Sequence, residues 1–356
     1  PNGSGLGGGG FYLLHRASDG RQVFLDAREV APAAATRDMY LDAAGNPVEG
    51  LSTRSAKAAG IPGEPAGWDQ LARKYGRLPL AASLEPAIRL ARKGHQISAA
   101  RQVELAEALD SEGLFGQAHS EFARIYLVAG KVPAAGHWVR YPDLAKSLEV
   151  LAKGGAEAFY RGPFARKLVQ GVQRLGGLWT EDDLASYRVI EREPIVATYQ
   201  GVRIVSAPPP SSGGVWLASV LNVLSGYDLG SLDAVTRKHL VFEAMRRAHR
   251  DRAQYLGDPA FTDVPVALLT SPDYAAGLRA SIRPDRATPS DLLPDYAGTE
   301  RQGQHTTHFS IIDADGNRVA ASITLNSWFG TGLVVPGTGI LLNNQMDDFV
   351  MKPGVP

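Results

Sequence analysis

One stretch constrains this chain more than any other: His305-Thr-Thr-His-Phe-Ser-Ile-Ile-Asp313, then Ala-Asp-Gly-Asn317, then Arg318 to Asn326. Two short runs alternate in polarity about a turn rich in Asp, Gly and Asn, which is the pattern of a β-hairpin. A turn centred on Asp315 puts Thr306 opposite Thr324 and His308 opposite Ser322, so two hydroxyls meet across one rung. Successive side chains point to opposite faces. Phe309, Ile311, Val319, Ala321, Ile323 and Leu325 therefore share an apolar face, and Thr306, His308, Ser310, Ser322, Thr324 and Asn326 share the other. On pattern alone this is an ordinary antiparallel hairpin with one half-polar face.

The glycine-rich opening, Pro1 to Gly10, leads into a second hairpin made of Phe11–Leu14 and Gln22–Asp26 around Ser18-Asp-Gly20. It has neither the Walker pattern nor a following βαβ unit, so close packing of backbone is expected rather than phosphate binding. Arg28 follows the second strand. A guanidinium there can pair with the neighbouring Glu29 or grip a carboxylate through two parallel hydrogen bonds.

From about Glu64 to Gly177 the pattern is mostly helical. Ser83 is expected to cap a helix that Gly94 stops, and amphipathic runs cover Pro142–Lys153 and Pro163–Leu175. Thr180 to Asp183 reads as a capping box opening a short helix that ends by Tyr187. Ile195–Tyr199 and Val202–Ala207 flank Gln200-Gly201 as a hairpin, after which Pro208-Pro-Pro blocks further pairing and Ser211 or Ser212 caps a helix beginning near Gly214. A long amphipathic helix covers His239–Tyr255, with Asp251 and Arg252 in structural ion pairs. Ser271 to about Gln304 has the composition of a loop, and a cleavable connection needs such exposure. Ile340 to Asn343 is a short buried strand delivering Asn344, Gln345, Asp347 and Asp348 at its end. Two adjacent Asp invite a metal, but no His or third carboxylate has ligand spacing, so neither metal nor cofactor is expected.

Lys+Arg and Asp+Glu each number 37, a formal net charge of zero, which argues against a nucleic-acid partner. The chain has no cysteine, so disulfides, thiolate nucleophiles and Cys-ligated metals are excluded. No run of about 18 apolar residues is present, so no membrane span is expected.

Thr306-Thr-His-Phe-Ser-x-x-Asp313, Thr324-x-Asn326 and Asn343-Asn-Gln-Met-Asp-Asp-Phe349 together resemble the catalytic core of the γ-glutamyltransferases, which are N-terminal nucleophile hydrolases. Arg28-Glu29-x-Ala31-Pro32, Asp182-x-Leu184-x-x-Tyr187, Pro208-Pro-Pro-Ser-Ser-Gly-Gly214 and Asp251-Arg-x-x-Tyr-Leu-Gly-Asp-Pro259 extend the resemblance over nearly the whole chain. It implies an α+β fold of four αββα layers, with the C-terminal part of that fold missing from this chain. It implies a precursor that cuts its own His305–Thr306 bond, giving a large-subunit region, 1–305, and the start of a small-subunit region, 306–356. The two would form a heterodimer and one structural unit. The new terminal amine, which ordinarily titrates near pH 8, would then serve Thr306 as general base. Thr306 and Thr324 would carry catalysis, Arg28 would take the substrate α-carboxylate, and Asn326, Gln345 and Asp348 its α-ammonium. The implied substrates are glutathione and other γ-glutamyl compounds, with water or an amino acid as acceptor, in the periplasm or outside the cell. The family's further C-terminal segment, with a Ser pair for the carboxylate and a Gly pair for the oxyanion, lies beyond the motifs of this chain. Alternatives within the resemblance are an acylase of glutaryl or β-lactam type and a non-catalytic homologue. Trp328, just after the Thr324-x-Asn326 strand, either packs or narrows the acceptor side.

Overall fold

The computed structural model describes residues 3–111, 121–293, 306–349 and 351. Its strands in chain order are β1 (Gly9–His15), β2 (Gln22–Ala27), β3 (His95–Gln96), β4 (Trp138–Val139), β5 (Ile190–Arg192), β6 (Ile195–Tyr199), β7 (Val202–Ser206), β8 (Thr306–Ile312), β9 (Arg318–Thr324), β10 (Val334–Val335) and β11 (Ile340–Leu341). One antiparallel sheet runs β5-β2-β1-β9-β8, joining the first hairpin of the chain to the last. The remaining strands pair two by two.

The central join exists because glycines occupy it. A Cβ added at Gly8 would lie 2.0 Å from the Thr324 carbonyl oxygen, and one at Gly7 would lie 1.9 Å from that of Leu341. Only a residue without a side chain lets the strands approach so closely, which is the packing role expected of this loop. The Gly8 carbonyl in turn accepts hydrogen bonds from the N–H groups of Gly63 and Glu64, at 2.9 Å each, at the start of the helix Glu64–Lys74. That helix covers one face of the sheet, where Tyr12, Leu14, Leu25, Ala27 and Ala321 are buried together with Trp68 and Leu71 alongside.

Burial of the hairpin's apolar face is uneven. Ala321 on β9 is 1% exposed, but Phe309 and Ile311 on β8 are 38% and 53% exposed. The helix Glu64–Lys74 packs on β1 and β2, whereas β8 is the edge strand, beyond its reach among the described residues.

Behind the sheet, the helices Pro142–Tyr160 and Gly162–Arg174 build a core around Leu151, Phe159, Leu168 and Trp179. Gly155, at φ 61°, kinks the first of these where the sequence predicts an end, and the chain resumes helix to Tyr160. Phe122, Tyr126 and Phe329 interlock edge to face in a second cluster that Trp328 joins. A third core unites the helices Gly213–Leu224, Ala234–Tyr255 and Pro272–Ala280.

The capping box Thr180–Asp183 and all three predicted hairpins are present. Three helix starts differ from expectation. Pro79, not Ser83, precedes the helix Leu80–Lys93, and Asp233 caps a long helix that begins at Ala234, five residues before His239. Ser271 accepts from the Tyr274 N–H and opens a helix inside the stretch read as loop, because Pro272 at the first helical position favours a start. Asp251 pairs with Arg250, while Arg252 donates to the Ser212 hydroxyl. His305 and residues 294–304 lie outside the described residues.

Candidate active site

The β8–β9 register pairs Thr306 with Thr324 and His308 with Ser322, as the turn at Asp315 predicts. Asp313 builds that turn by accepting from the N–H groups of Asp315 and Asn317 at 3.0 and 2.9 Å. Across the first rung the two Oγ1 atoms of Thr306 and Thr324 are 3.3 Å apart. Thr324 is buried and accepts the Asn326 N–H at 2.9 Å, which fixes its oxygen. Thr306 is exposed, at the first position of the strand. Across the second rung, His308 Nδ1 lies 2.8 Å from Ser322 Oγ.

On its other side β9 pairs with β1, setting Gly9 beside Thr324 and Phe11 beside Ser322. The polar face of the hairpin thus continues across β1 toward the end of β2, where Arg28 sits. The Arg28 backbone is held at both ends: its N–H donates to Asp26 Oδ1 at 3.1 Å, and its carbonyl accepts the Tyr187 hydroxyl at 2.8 Å. Its Nη2 donates to Asp348 Oδ2 at 2.7 Å. Gln345 Nε2 donates to the same Asp348 oxygen, and Gln345 Oε1 is buried with no hydrogen-bond partner among the described residues.

The turn after β11 delivers these groups because Asn343 anchors it. Asn343 Nδ2 donates to the carbonyls of Gly7 and Gly60 at 2.7 and 2.8 Å, and its Oδ1 accepts the N–H groups of Gly60 and Gln345 at 3.0 Å each. Asn344 ties the turn to β9 by accepting the Ser327 N–H on its side chain and Asn326 Nδ2 on its carbonyl, at 3.0 Å each. Asn326 has φ 76°, so the chain turns sharply there and swings its amide toward Asn344. Asp347 faces elsewhere, accepting the Ser52 hydroxyl at 2.6 Å. The adjacent Asp347 and Asp348 carboxylates therefore do not converge.

Two carboxyl groups lie below this face: Glu29, read from the sequence only as a neighbour for Arg28, and Glu64, which it left unassigned. Glu29 is buried beside Gly9, and neither of its oxygens has a hydrogen-bond partner from another described residue. Burial pushes its carboxyl up to about 7, against the pull of Arg28, whose Nε is 3.7 Å away. Glu64 is fully buried and accepts the Tyr12 hydroxyl and the Trp68 indole N–H on one oxygen, at 2.7 and 2.6 Å. Burial pushes it up to about 8. A glutamate in the first turn of a helix ordinarily signals only the helix dipole, so nothing in the sequence marked Glu64 as buried.

The six predicted residues thus converge in two linked groups, Thr306 with Thr324, and Arg28 with Asp348 and Gln345, with Asn326 between them through Asn344. The pairing of a hydroxyl nucleophile candidate with a separate cation–anion pair suits acyl transfer from a zwitterion. Comparison with known proteins places the chain in a family. The family model described as Gamma-glutamyltranspeptidase matches residues 1–356. The glutathione hydrolase proenzyme of Escherichia coli strain K12 is 42% identical, covering 100% of this chain and 61% of that protein. The acylase ACY 1 proenzyme of Pseudomonas sp. strain SE83 is 39% identical over 98% of this chain and 62% of its own length. Among solved structures, the gamma-glutamyltranspeptidase of Helicobacter pylori superposes with a TM-score of 0.74 at 37% identity, covering 84% of this chain and 85% of that one. Cephalosporin acylase from Bacillus halodurans gives 0.82 at 29% identity, covering 99% and 63%.

The fold is therefore a mixed helix-and-sheet fold with structural neighbours among the N-terminal nucleophile hydrolases. The chain belongs to the γ-glutamyltranspeptidase family. It spans about 61% of the length of the first curated relatives it matches.

Proposed function

We propose that this chain carries the nucleophile and the donor-binding groups of an autoprocessing γ-glutamyltransferase. Thr306 is the nucleophile, and cleavage of the His305–Thr306 bond frees the amine that serves as its base. The amine takes the Oγ1 proton as that oxygen attacks the γ-carbonyl of the donor, and Thr324 supports the same oxygen by a hydrogen bond. The leaving amine, such as Cys-Gly from glutathione, departs with the proton. Water or an amino acid then opens the γ-glutamyl ester and regenerates the hydroxyl.

The observation that carries this reading is the coexistence of the 3.3 Å Thr306–Thr324 pair with the 2.7 Å Arg28–Asp348 pair on one connected face. A donor α-carboxylate suits Arg28. Its α-ammonium suits Asp348, Asn326 and the orphaned Gln345 Oε1. Cleavage divides the protein into a large-subunit region, 1–305, and a small-subunit region beginning at Thr306, which stay together as a heterodimer in a four-layer αββα unit. We place the enzyme in the periplasm or outside the cell, in keeping with a chain devoid of cysteine.

Intact mass of the purified protein beside Thr306→Ala tests the proposal. Two fragments in the wild type alone, one beginning at Thr306, support it; an uncut chain in both overturns it. A second reading, a glutaryl-type acylase, is favoured by the acylases among the similar proteins. Turnover of a γ-glutamyl anilide well above a glutaryl anilide excludes it, since the two donors differ only in the α-ammonium.

A further inference from the structure

We propose that Phe11 is a positioning residue for the donor α-carboxylate, acting through Arg28. The inference rests on the reading of Arg28 as the carboxylate clamp.

Three groups hold the Arg28 side chain. Asp348 accepts from Nη2 at 2.7 Å, Glu29 stands 3.7 Å from Nε, and the Phe11 ring lies under the guanidinium at 5.4 Å from its carbon to the ring centroid. These holds differ once a donor arrives. Asp348 is then claimed by the α-ammonium, and its bond to Arg28 must loosen. Glu29 is beyond hydrogen-bond distance. The ring contact competes with nothing on the substrate and persists through binding.

A guanidinium held over an aromatic face within about 6 Å of its centroid is attracted to the ring, which restricts the plane of its N–H groups. Bidentate capture of a carboxylate depends on that plane, because both N–H···O bonds lie in it. The sheet places the ring for this task. Phe11 sits on β1 between Asp26 of β2 and Ser322 of β9, on the face that carries Thr306, Thr324 and His308. Phe24 on β2 backs it, ring centroids 5.1 Å apart. The Arg28 backbone, pinned through Asp26 and Tyr187, leaves only the side-chain torsions for the ring to restrict.

The test is titration calorimetry of the enzyme with L-glutamate and with its α-amide, which lacks the α-carboxylate. Wild type, Phe11→Leu and Phe11→Tyr are compared. Phe11→Leu should weaken glutamate binding roughly tenfold, within the range of a guanidinium–ring contact. Phe11→Tyr should stay within about twofold of wild type, and the amide should bind wild type and Phe11→Leu alike. Replacing Phe11 with pentafluorophenylalanine, which keeps the shape and reverses the ring's charge distribution, provides the same contrast where leucine disturbs folding. Equal glutamate affinity in wild type and in both perturbed rings overturns the proposal, as does equal weakening for glutamate and amide, the mark of a merely structural ring. Wild type that does not bind glutamate at all overturns the donor-site reading itself, and this inference with it.

Discussion

Replacing Glu64 by glutamine should remove much of the pH dependence of this protein's stability. Glu64 is fully buried beneath the glycine loop, and burial raises its carboxyl from 4.5 to about 8. The folded state keeps the proton after the unfolded chain has released it. Stability from this group is therefore complete below pH 4.5 and drains as pH rises toward 8, at about 1.4 kcal/mol per pH unit. The accumulated loss is of the order of 2 to 5 kcal/mol, the lower end allowing for relaxation and water entry. Glutamine keeps an acceptor for the Tyr12 hydroxyl and the Trp68 indole. Its amide nitrogen occupies the position of the carboxylate oxygen that has no partner, at a pH-independent cost of about 1 to 3 kcal/mol. The two stability curves should then cross, with wild type ahead near pH 5 and Glu64→Gln level or ahead near pH 8. Urea denaturation midpoints at fixed slope across that range give the comparison. Glu29, pushed up to about 7, titrates in both proteins and largely cancels. A difference between the two proteins that stays constant within about 1 kcal/mol from pH 5 to pH 8 refutes the assignment of a neutral buried acid.

Two further outcomes follow from the site and its frame. Thr324→Val removes both the partner of Thr306 Oγ1 and the acceptor of the Asn326 N–H; kcat for a γ-glutamyl anilide should fall about tenfold or more, one factor of ten per 1.4 kcal/mol, while Thr324→Ser retains most of it. Gly8→Ala drives a methyl group against the Thr324 carbonyl at 2.0 Å and should cost about 3 kcal/mol or more in thermal unfolding, whereas Gly20→Ala, with open space around it but φ 69°, should cost about 1 kcal/mol.

The parts of this fold that local chemistry determines were legible in the sequence. The Thr306–Thr324 rung follows from a period of two and from an Asp-Gly-Asn turn within a dozen residues, so no distant contact can shift it. The Thr180–Asp183 box is likewise a local exchange of hydrogen bonds. Helix starts were harder. Asp233 is a good cap, but Val235 just beyond it is 78% exposed, so the apolar stripe begins late and the boundary reads late with it. The Arg28–Asp348 bond joins residues 320 apart and leaves no periodic trace. Arg28 instead has a nearer candidate partner along the chain in Glu29, whose carboxylate turns out to be buried and beyond hydrogen-bond reach. The burial of Glu29 and of Glu64 was not legible for the same reason, since charge at those positions is ordinarily solvated.

The anchoring of Asn343 on Gly7 and Gly60 sets the order in which the molecule can come into being. During synthesis the glycine loop leaves the ribosome long before its partner, on the order of tens of seconds at about 5–20 residues per second. Until residue 343 arrives, the loop is held only by earlier contacts such as those of Gly8 with Gly63 and Glu64, and Arg28 has no Asp348. On the role proposed above for Thr306, chemistry that depends on these groups waits for the roughly 40 residues that follow it in synthesis.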